Sequence, residues 1–209
     1  MKILIADDHA IVRQGLRQIL AENSKMDVVN EAENGRQVLD MISKEDFGVL
    51  VLDICMPGEN GIEILKQVKL MSPDLPVLML SMYAEEQYAI RALKAGADGY
   101  LTKDKAPEVL VHAINRVAGG RKYVSQSLAE KLAENLYHNK SNKVFHELLS
   151  DREYEVMCQL ALGKTVSQIS HEMNLSVKTV STYRSRILDK MNMKTNAELT
   201  HYAIKNNLI

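Results

Sequence analysis

Five short apolar runs, at about 2–6, 27–31, 48–53, 76–81 and 98–101, alternate through the first part of the chain with longer segments of helical periodicity, at about 11–22, 34–44, 60–71, 85–95 and 106–118. No other feature restricts the fold as much. One-for-one alternation of strand and helix predicts α/β architecture, here a doubly wound, five-stranded parallel sheet with helices on both faces. Gly119-Gly120 breaks the last of these helices. A further helix is expected over 125–140, with Ser127 and Glu130 as a capping box, running into the polar linker Asn139-Lys140-Ser141-Asn142-Lys143.

From about residue 147 the signal is helix alone. Ser150-x-x-Glu153, Thr165-x-x-Gln168 and Thr195-x-x-Glu198 have the capping-box form, and Ser176 is an N-cap before Val177. Four short helices are expected near 151–162, 166–173, 177–191 and 196–206. Asn174-Leu175-Ser176 joins the second to the third, a connection short enough for a helix-turn-helix. An enzyme domain of this size would need acid/base clusters that the segment lacks, so a DNA-reading module is the better reading.

The net charge of −1 argues neither for nor against nucleic acid, but its distribution does. Val177–Lys194 holds five basic residues, Lys178, Arg184, Arg186, Lys190 and Lys194, against the single acid Asp189. At about 100° per residue, Val180, Tyr183, Ile187 and Met191 form one stripe with Leu188 at its flank, the expected core side. The opposite face carries Lys178, Ser181, Thr182, Ser185, Arg186 and Asp189. In a helix-turn-helix the first turns of such a helix enter the major groove. Ser181, Thr182 and Ser185 are therefore candidates for base edges, and Lys178, Thr179, Arg186 and Lys190 for phosphates. Standing alone, the helix would read more plainly as amphipathic with a solvated basic face.

In the first domain the chemistry collects at strand ends. Asp53 closes Val49-Leu50-Val51-Leu52 and precedes Ile54-Cys55-Met56-Pro57-Gly58, the position at which open α/β sheets place their sites. Asp7-Asp8 ends the first strand, and Lys103 stands just beyond Gly99-Tyr100-Leu101-Thr102. Three carboxylates and an ammonium suit a hard divalent cation such as Mg²⁺ and, through it, a phosphoryl group. Singly, each has a plainer reading. Asp7-Asp8 resembles a helix N-cap, Lys103 a solvated charge, Ser81 a cap for the helix near Glu85, and Tyr100 a strand-edge aromatic. His9 reads as a helix-start residue, since no second imidazole or thiolate lies at metal-binding spacing. Only the joint pattern displaces these readings.

Taken in chain order, Asp7, Asp8, Asp53, Ser81, Tyr100 and Lys103 resemble the key positions of the receiver domain of two-component response regulators, over residues 1 to about 122. The resemblance implies a flavodoxin-like fold in which Asp53 accepts a phosphoryl group from the phosphohistidine of a sensor histidine kinase. It further implies Mg²⁺ held by Asp7, Asp8, Asp53 and the backbone carbonyl of Cys55, Lys103 paired with the phosphoryl oxygens, and Ser81 and Tyr100 as the switch pair. Cys55 and Tyr83, two positions past Asp53 and Ser81, are then placed to tune hydrolysis of the aspartyl phosphate. A haloacid dehalogenase-type hydrolase also forms an aspartyl phosphate, but it needs a second Asp where Cys55 stands. A receiver acting as a phosphorylation-independent dimer or ligand module is opposed by the intact acidic pair, Asp53 and Lys103.

Leu149 through Glu153, Lys178-Thr179-Val180 and Ile187 through Met191 resemble the LuxR-type helix-turn-helix, which together with a receiver marks the NarL/FixJ family. Many relatives carry Lys directly after Thr-Val, whereas this chain has Ser181, so their base contacts do not transfer. The expected division is a receiver over 1–122, a linker with one helix over 123–146 and the DNA-binding domain over 147–209. The resemblance implies double-stranded promoter DNA as partner and a homodimer when phosphorylated, with Leu199, Tyr202 and Ala203 of the last helix as interface candidates. Intradomain packing is their other reading. It also implies that the unphosphorylated receiver masks the recognition helix, and that the chain is no enzyme beyond slow hydrolysis of its own phosphate. Two cysteines in separate segments, with no secretory leader and no apolar stretch of bilayer length, lead to the expectation of a cytoplasmic protein without membrane contact.

Overall fold

A computed structural model describes residues 1–22, 26–56, 60–83, 85–138 and 145–209, which divide into two compact units, Met1–Glu134 and Asn135–Ile209. In the first unit the strands are β1 (Lys2–Ala6), β2 (Asp27–Ala32), β3 (Val49–Asp53), β4 (Val77–Ser81) and β5 (Gly99–Thr102). They form one parallel sheet in the order β2-β1-β3-β4-β5. Every residue of β3, β4 and β5 is buried, as expected where both sheet faces are covered. The five helices are α1 (Ala10–Ala21), α2 (Gly35–Ile42), α3 (Gly61–Met71), α4 (Glu85–Lys94) and α5 (Ala106–Ala118). α1 and α5 pack together, and Leu16, Leu20, Leu110 and Ile114 close over Ile3, Ile5, Val51, Leu78 and Leu80. The alternate positions Leu4, Leu50, Leu52 and Met79 are equally buried and face the opposite side.

Strand order reverses direction between β1 and β3, and the crevice at such a reversal is where open α/β sheets bind ligands. Asp7 follows β1 and Asp53 ends β3, so both lie at this crevice. The chain after β3 returns close to its own backbone. A Cβ on Gly61 would lie 2.1 Å from the Asp53 carbonyl oxygen and 2.7 Å from Ile54 Cα, a contact that no other residue escapes. Asn60 caps α3 through the Ile62 amide at 2.9 Å, and the Gly61 amide donates to the Ile54 carbonyl at 2.8 Å. Pro57 and Gly58 of the expected turn lie outside the described residues.

The sixth helix, α6 (Gln126–His138), starts on a different cap from the one expected. Ser125 Oγ accepts the Leu128 amide at 3.1 Å, while Glu130 accepts from the Gln126 side chain, so the Ser127/Glu130 box does not form. Ser125 wins because it stands three residues before an amide that needs an acceptor, which Ser127, one residue inside the helix, cannot reach. The polar linker expected over 139–143 lies outside the described residues.

A 3₁₀ turn over Phe145–Leu148, not foreseen from the sequence, opens the rest of the second unit. It is followed by α7 (Asp151–Ala161), α8 (Val166–Glu172), α9 (Val177–Met191) and α10 (Asn196–Lys205). Both expected boxes at Ser150/Glu153 and Thr165/Gln168 close fully. At Thr195 only half of the box forms: its hydroxyl accepts the Glu198 amide, but Glu198 reaches back to the Lys194 amide. The turn between α8 and α9 is made by Asn174 in the left-handed region at φ 51°, which Asn tolerates better than other side-chain-bearing residues. Of the expected stripe Val180, Ile187 and Met191 are buried, as is the flanking Leu188, while Tyr183 is half-buried; α9 packs on α7 and α8. No helix among the described residues is long and apolar enough to cross a membrane.

Candidate functional site

Backbone placement brings Asp53, Asp7 and Lys103 into direct contact from three strand ends. Lys103 Nζ stands 2.8 Å from Asp53 Oδ2 and 2.6 Å from Asp7 Oδ2. Its backbone amide donates to the Ser81 carbonyl at 2.7 Å, which extends the β4–β5 ladder by one bond and fixes the lysine at the site. Asp7 and Asp53 are almost fully buried, at 0% and 2% exposure, whereas the Asp8 side chain is 25% exposed. The acidic pair is not a helix cap. α1 takes His9 as its N-cap residue without a side-chain cap bond, and Asp7 Oδ1 instead accepts the His9 amide at 2.9 Å.

Burial is the main force on Asp53, and it raises the carboxyl to about 6; the Lys103 ammonium opposes this and the Asp7 carboxylate adds to it. Lys103 moves upward from its ordinary value. Burial disfavours its charge, but Asp53 and Asp7 together outweigh burial. The sign of the Asp53 shift has a consequence for stability. Below its ordinary value of 3.8 the group is protonated whether folded or unfolded; as pH rises through about 6, the folded chain must ionise it against burial and loses stability. Without divalent cation, Asp53→Asn should therefore be more stable than the native chain by about 3 kcal/mol at neutral pH, an advantage that shrinks to nothing near pH 4. Thermal midpoints measured from pH 4 to 8 check this, and a gap independent of pH would refute it.

His9, set aside by sequence reasoning, lies within the acidic cluster. Its Nδ1 is 2.7 Å from Asp8 Oδ1, and one ligand atom from each of Asp7, Asp8, His9 and Asp53 falls within 4.8 Å of the others. The carboxylate oxygens suit a hard cation, and Asp8 Oδ1 is buried without a hydrogen-bond partner among the described residues. Arg13 was missed altogether. It is buried on α1 and donates to the Asp7 carbonyl at 2.8 Å, to Glu31 at 3.0 Å and to Glu33 at 2.6 Å, fixing the turn that presents the acidic pair. Its signal in the sequence was a cation standing in the apolar stripe with Leu16 and Leu20.

Ser81 ends β4 opposite Thr102, and Tyr100 lies two residues earlier on the neighbouring strand β5. Ser81 Oγ accepts the Tyr83 amide at 3.0 Å, its bond among the described residues. Tyr100 lies on the edge strand β5 but its side chain is fully buried, and its hydroxyl donates to the Tyr83 carbonyl at 3.0 Å. Burial holds that phenol well above its ordinary range, so it remains a donor. Cys55 is half-buried, its backbone pairs with Asn60, and its amide donates to the Asp53 carboxylate.

On α9 of the second unit, Lys178, Ser181, Thr182, Ser185 and Arg186 are exposed along one face, with Thr179 half-buried beside them. Ser176 caps the helix through the Thr179 amide at 3.0 Å. The Thr182 hydroxyl donates to the Lys178 carbonyl at 2.9 Å, so its proton is spent within the helix. Lys190 is already engaged, 2.6 Å from buried Glu153. Arg184 reaches Asn196 Oδ1 at 2.7 Å and ties α9 to α10, and Val177, missed by sequence reasoning, is half exposed at the head of the helix.

The expectation for α10 needs correction. Leu199 and Ala203 are fully buried on the side packed against α7, so they serve the unit's own core and cannot offer a surface to a second chain. Tyr202 is half-buried, and its hydroxyl lies 3.0 Å from His146 Nδ1. The exposed side of α10 instead borders a groove of about 500 Å³ lined by Met193, Ala197, Glu198, His201, Tyr202 and Lys205.

Residues 3–115 match the family model described as the response regulator receiver domain, and residues 147–203 that of the bacterial regulatory proteins, luxR family. The chain is 34% identical to the response regulator UvrY of Escherichia coli over 208 residues, covering all of this chain and 95% of UvrY. It is also 34% identical, over 216 residues, to the oxygen regulatory protein NreC of Staphylococcus carnosus, covering all of this chain and 99% of that one. Among solved structures it is similar to RcsB of Salmonella enterica serovar Typhimurium bound to promoter P1flhDC in the presence of the phosphomimetic BeF₃⁻. The TM-score there is 0.67 and the identity 29%, with 97% of each chain covered.

Proposed function

The chain belongs to the NarL/FixJ family of two-component response regulators, with a receiver and a LuxR-type DNA-binding domain, and we propose that phosphorylation of Asp53 by a sensor histidine kinase switches it to dimeric binding of promoter DNA. The observation that carries this reading is the contact of Lys103 with both Asp53 and Asp7 at the sheet's crevice. An Asp53 carboxylate oxygen attacks phosphorus; the new O–P bond forms as the P–N bond of the kinase phosphohistidine breaks, and its electron pair stays with the imidazole. Asp7, Asp8, Asp53 and the Cys55 carbonyl are the groups to hold Mg²⁺, which neutralises charge on the phosphoryl oxygens when bound. Lys103 supplies the remaining positive charge.

Phosphorylation replaces one negative charge with about two and adds three acceptor oxygens. Ser81 Oγ accepts the Tyr83 amide and has its own proton to donate to these oxygens; turning toward them draws it away from that amide. The buried Tyr100 hydroxyl, bonded to the Tyr83 carbonyl, then remains as the second hold on the segment after β4. Cys55 and Tyr83 border the site and set how slowly the chain hydrolyses its own phosphate. Lys178 and Arg186 contact phosphates, with Ser181, Thr182 and Ser185 toward base edges. Thr182 offers a base its oxygen as acceptor and its methyl group for apolar contact, its proton being taken. Lys190 mainly holds Glu153. The division at 1–122, 123–146 and 147–209 follows this assignment of roles, and a cytoplasmic location suits a chain that reads promoters.

Coupling is tested by loading the full chain with BeF₃⁻ and Mg²⁺ and measuring mass by sedimentation and retention of promoter DNA fragments selected from a random pool. Loading should convert monomer to dimer and tighten binding at least tenfold, with no response from Asp53→Asn. Equal affinity with and without BeF₃⁻ would remove the switch while leaving the DNA-binding domain in place.

A further inference from the structure

The free edge of β5 carries a short segment that the sequence did not announce. Tyr123 forms a parallel bridge with Gly99: its amide donates to the Asp98 carbonyl at 2.9 Å and its carbonyl accepts the Tyr100 amide at 3.2 Å. A Cβ on Gly99 would come within 2.9 Å of Tyr123 Cβ and 3.0 Å of its carbonyl oxygen, so the missing side chain is what lets the segment lie down there. Lys122 pins its start through Asp98 Oδ1 at 2.9 Å and the Ala97 carbonyl at 2.8 Å. The switch tyrosine and the approach to α6 are thus hydrogen-bonded neighbours.

Two residues on, one hydroxyl joins two helices. Ser125 Oγ caps α6 by accepting the Leu128 amide and donates its proton to the carboxylate of Glu85, the first residue of α4. Glu85 is 7% exposed and Leu128 2%, while Ser125 is half-buried, so this contact is partly shielded from water. Glu85 stands four residues beyond Ser81. Between them the chain is anchored to the switch twice, by the Tyr83 amide on Ser81 Oγ and by the Tyr83 carbonyl on the Tyr100 hydroxyl. When Ser81 turns to a phosphoryl group, the first anchor is released at the root of the segment that carries Glu85. A hydrogen bond weakens steeply with distance and angle, so a small displacement of α4's first turn suffices to break the contact with Ser125.

We propose that Glu85 and Ser125 form a latch between the phosphorylation switch and α6, closed while Asp53 is free and opened when it is phosphorylated. The proposal rests on the phosphoacceptor reading above and adds the route by which the site's state leaves the sheet. The boundary between the two compact units falls inside α6, after Glu134, so the helix whose first turn the latch holds is shared by both.

The test follows hydrogen exchange at the amides of residues 126–133 in the full chain, with and without Mg²⁺ and BeF₃⁻, while ¹⁹F resonances report whether Asp53 is loaded. Loading should raise exchange there at least tenfold. Glu85→Ala should show the raised rate without loading, rise no further on loading, and accept phosphoryl groups from acetyl phosphate as fast as the native chain. That absence of a further rise separates a latch from mere loosening, which would add to the effect of loading. Glu85→Gln, which keeps an acceptor without the charge, should fall between the two and serves if the alanine variant folds poorly. Loaded Asp53 with unchanged exchange in α6, or a Glu85→Ala effect that adds to that of loading, overturns the latch and leaves the phosphoacceptor reading intact. Failure of Asp53 to load at all overturns both.

Discussion

Asp53→Asn should abolish uptake of phosphoryl groups from acetyl phosphate in the presence of Mg²⁺, while the native chain takes up one group per molecule, labile to hydroxylamine as an acyl phosphate is. The amide keeps the shape of the carboxylate but has no anionic oxygen to attack phosphorus. Lys103 lies 2.8 Å from the oxygen that would be replaced and 2.6 Å from Asp7, so neighbouring geometry remains to favour the reaction if any other nucleophile existed. Asp7 is the one other carboxylate of the described cluster with comparable burial and contact, so the variant also tests whether the reaction selects Asp53 over Asp7. Replacing Lys103 by Met should leave acceptance possible but slow it by roughly 10²–10³, the usual loss when one preorganised donor to a developing charge is removed. Asp8→Ala should act differently, requiring more Mg²⁺ for the same rate, because Asp8 is the most solvent-accessible carboxylate of the three and its loss removes a ligand of the cation without touching the Lys103–Asp53 pair. Mass spectrometry of the hydroxylamine-treated protein decides the matter: labelling of Asp53→Asn equal to that of the native chain would sink the aspartyl-phosphate mechanism.

Removing Lys178 or Arg186 should weaken binding to every DNA sequence and lower the slope of log K against log salt by about 0.9 for each phosphate no longer neutralised. Both side chains are exposed, so their charge is free to displace counterions. Lys190→Ala should leave that slope nearly unchanged, because this lysine is already paired with buried Glu153; its removal should appear as reduced thermal stability of the DNA-binding unit. Ser181→Ala or Ser185→Ala should keep the salt slope and cost roughly 1–3 kcal/mol of discrimination at particular base pairs. In a dimer these effects should appear symmetrically in two half-sites about one helical turn apart. Titrations at several salt concentrations against selected and scrambled duplexes separate the three signatures. If the serine variants retain full sequence preference while the basic variants lose it, the base-reading face of α9 has been assigned to the wrong residues.

Sequence alone determined the parts of this protein that depend on local pattern. Five apolar runs alternating with helical periods fixed a parallel sheet, because crossovers between parallel strands leave few other topologies. Ser150, Thr165 and Ser176 marked true helix starts, since an N-cap satisfies amides within its own first turn. Asp7, Asp53 and Lys103 were legible as a set because a parallel sheet gathers the ends of its strands on one side, whatever their separation in the chain. What the sequence left open depended on the partner that each group meets. Leu199 and Ala203 have the same character whether they face α7 or a second chain, and only packing assigned them to the core. Lys190 belongs to the basic run of α9, yet Glu153, 37 positions earlier, claims its charge. His9 and Arg13 joined the acidic site, and Ser125 displaced Ser127 as the cap of α6 while binding Glu85, through contacts made across folded elements. Local hydrogen bonds and hydrophobic periodicity are written in neighbouring residues. The pairing of charges and hydroxyls over tens of residues is decided only when the sheet and helices close and remove the competing water.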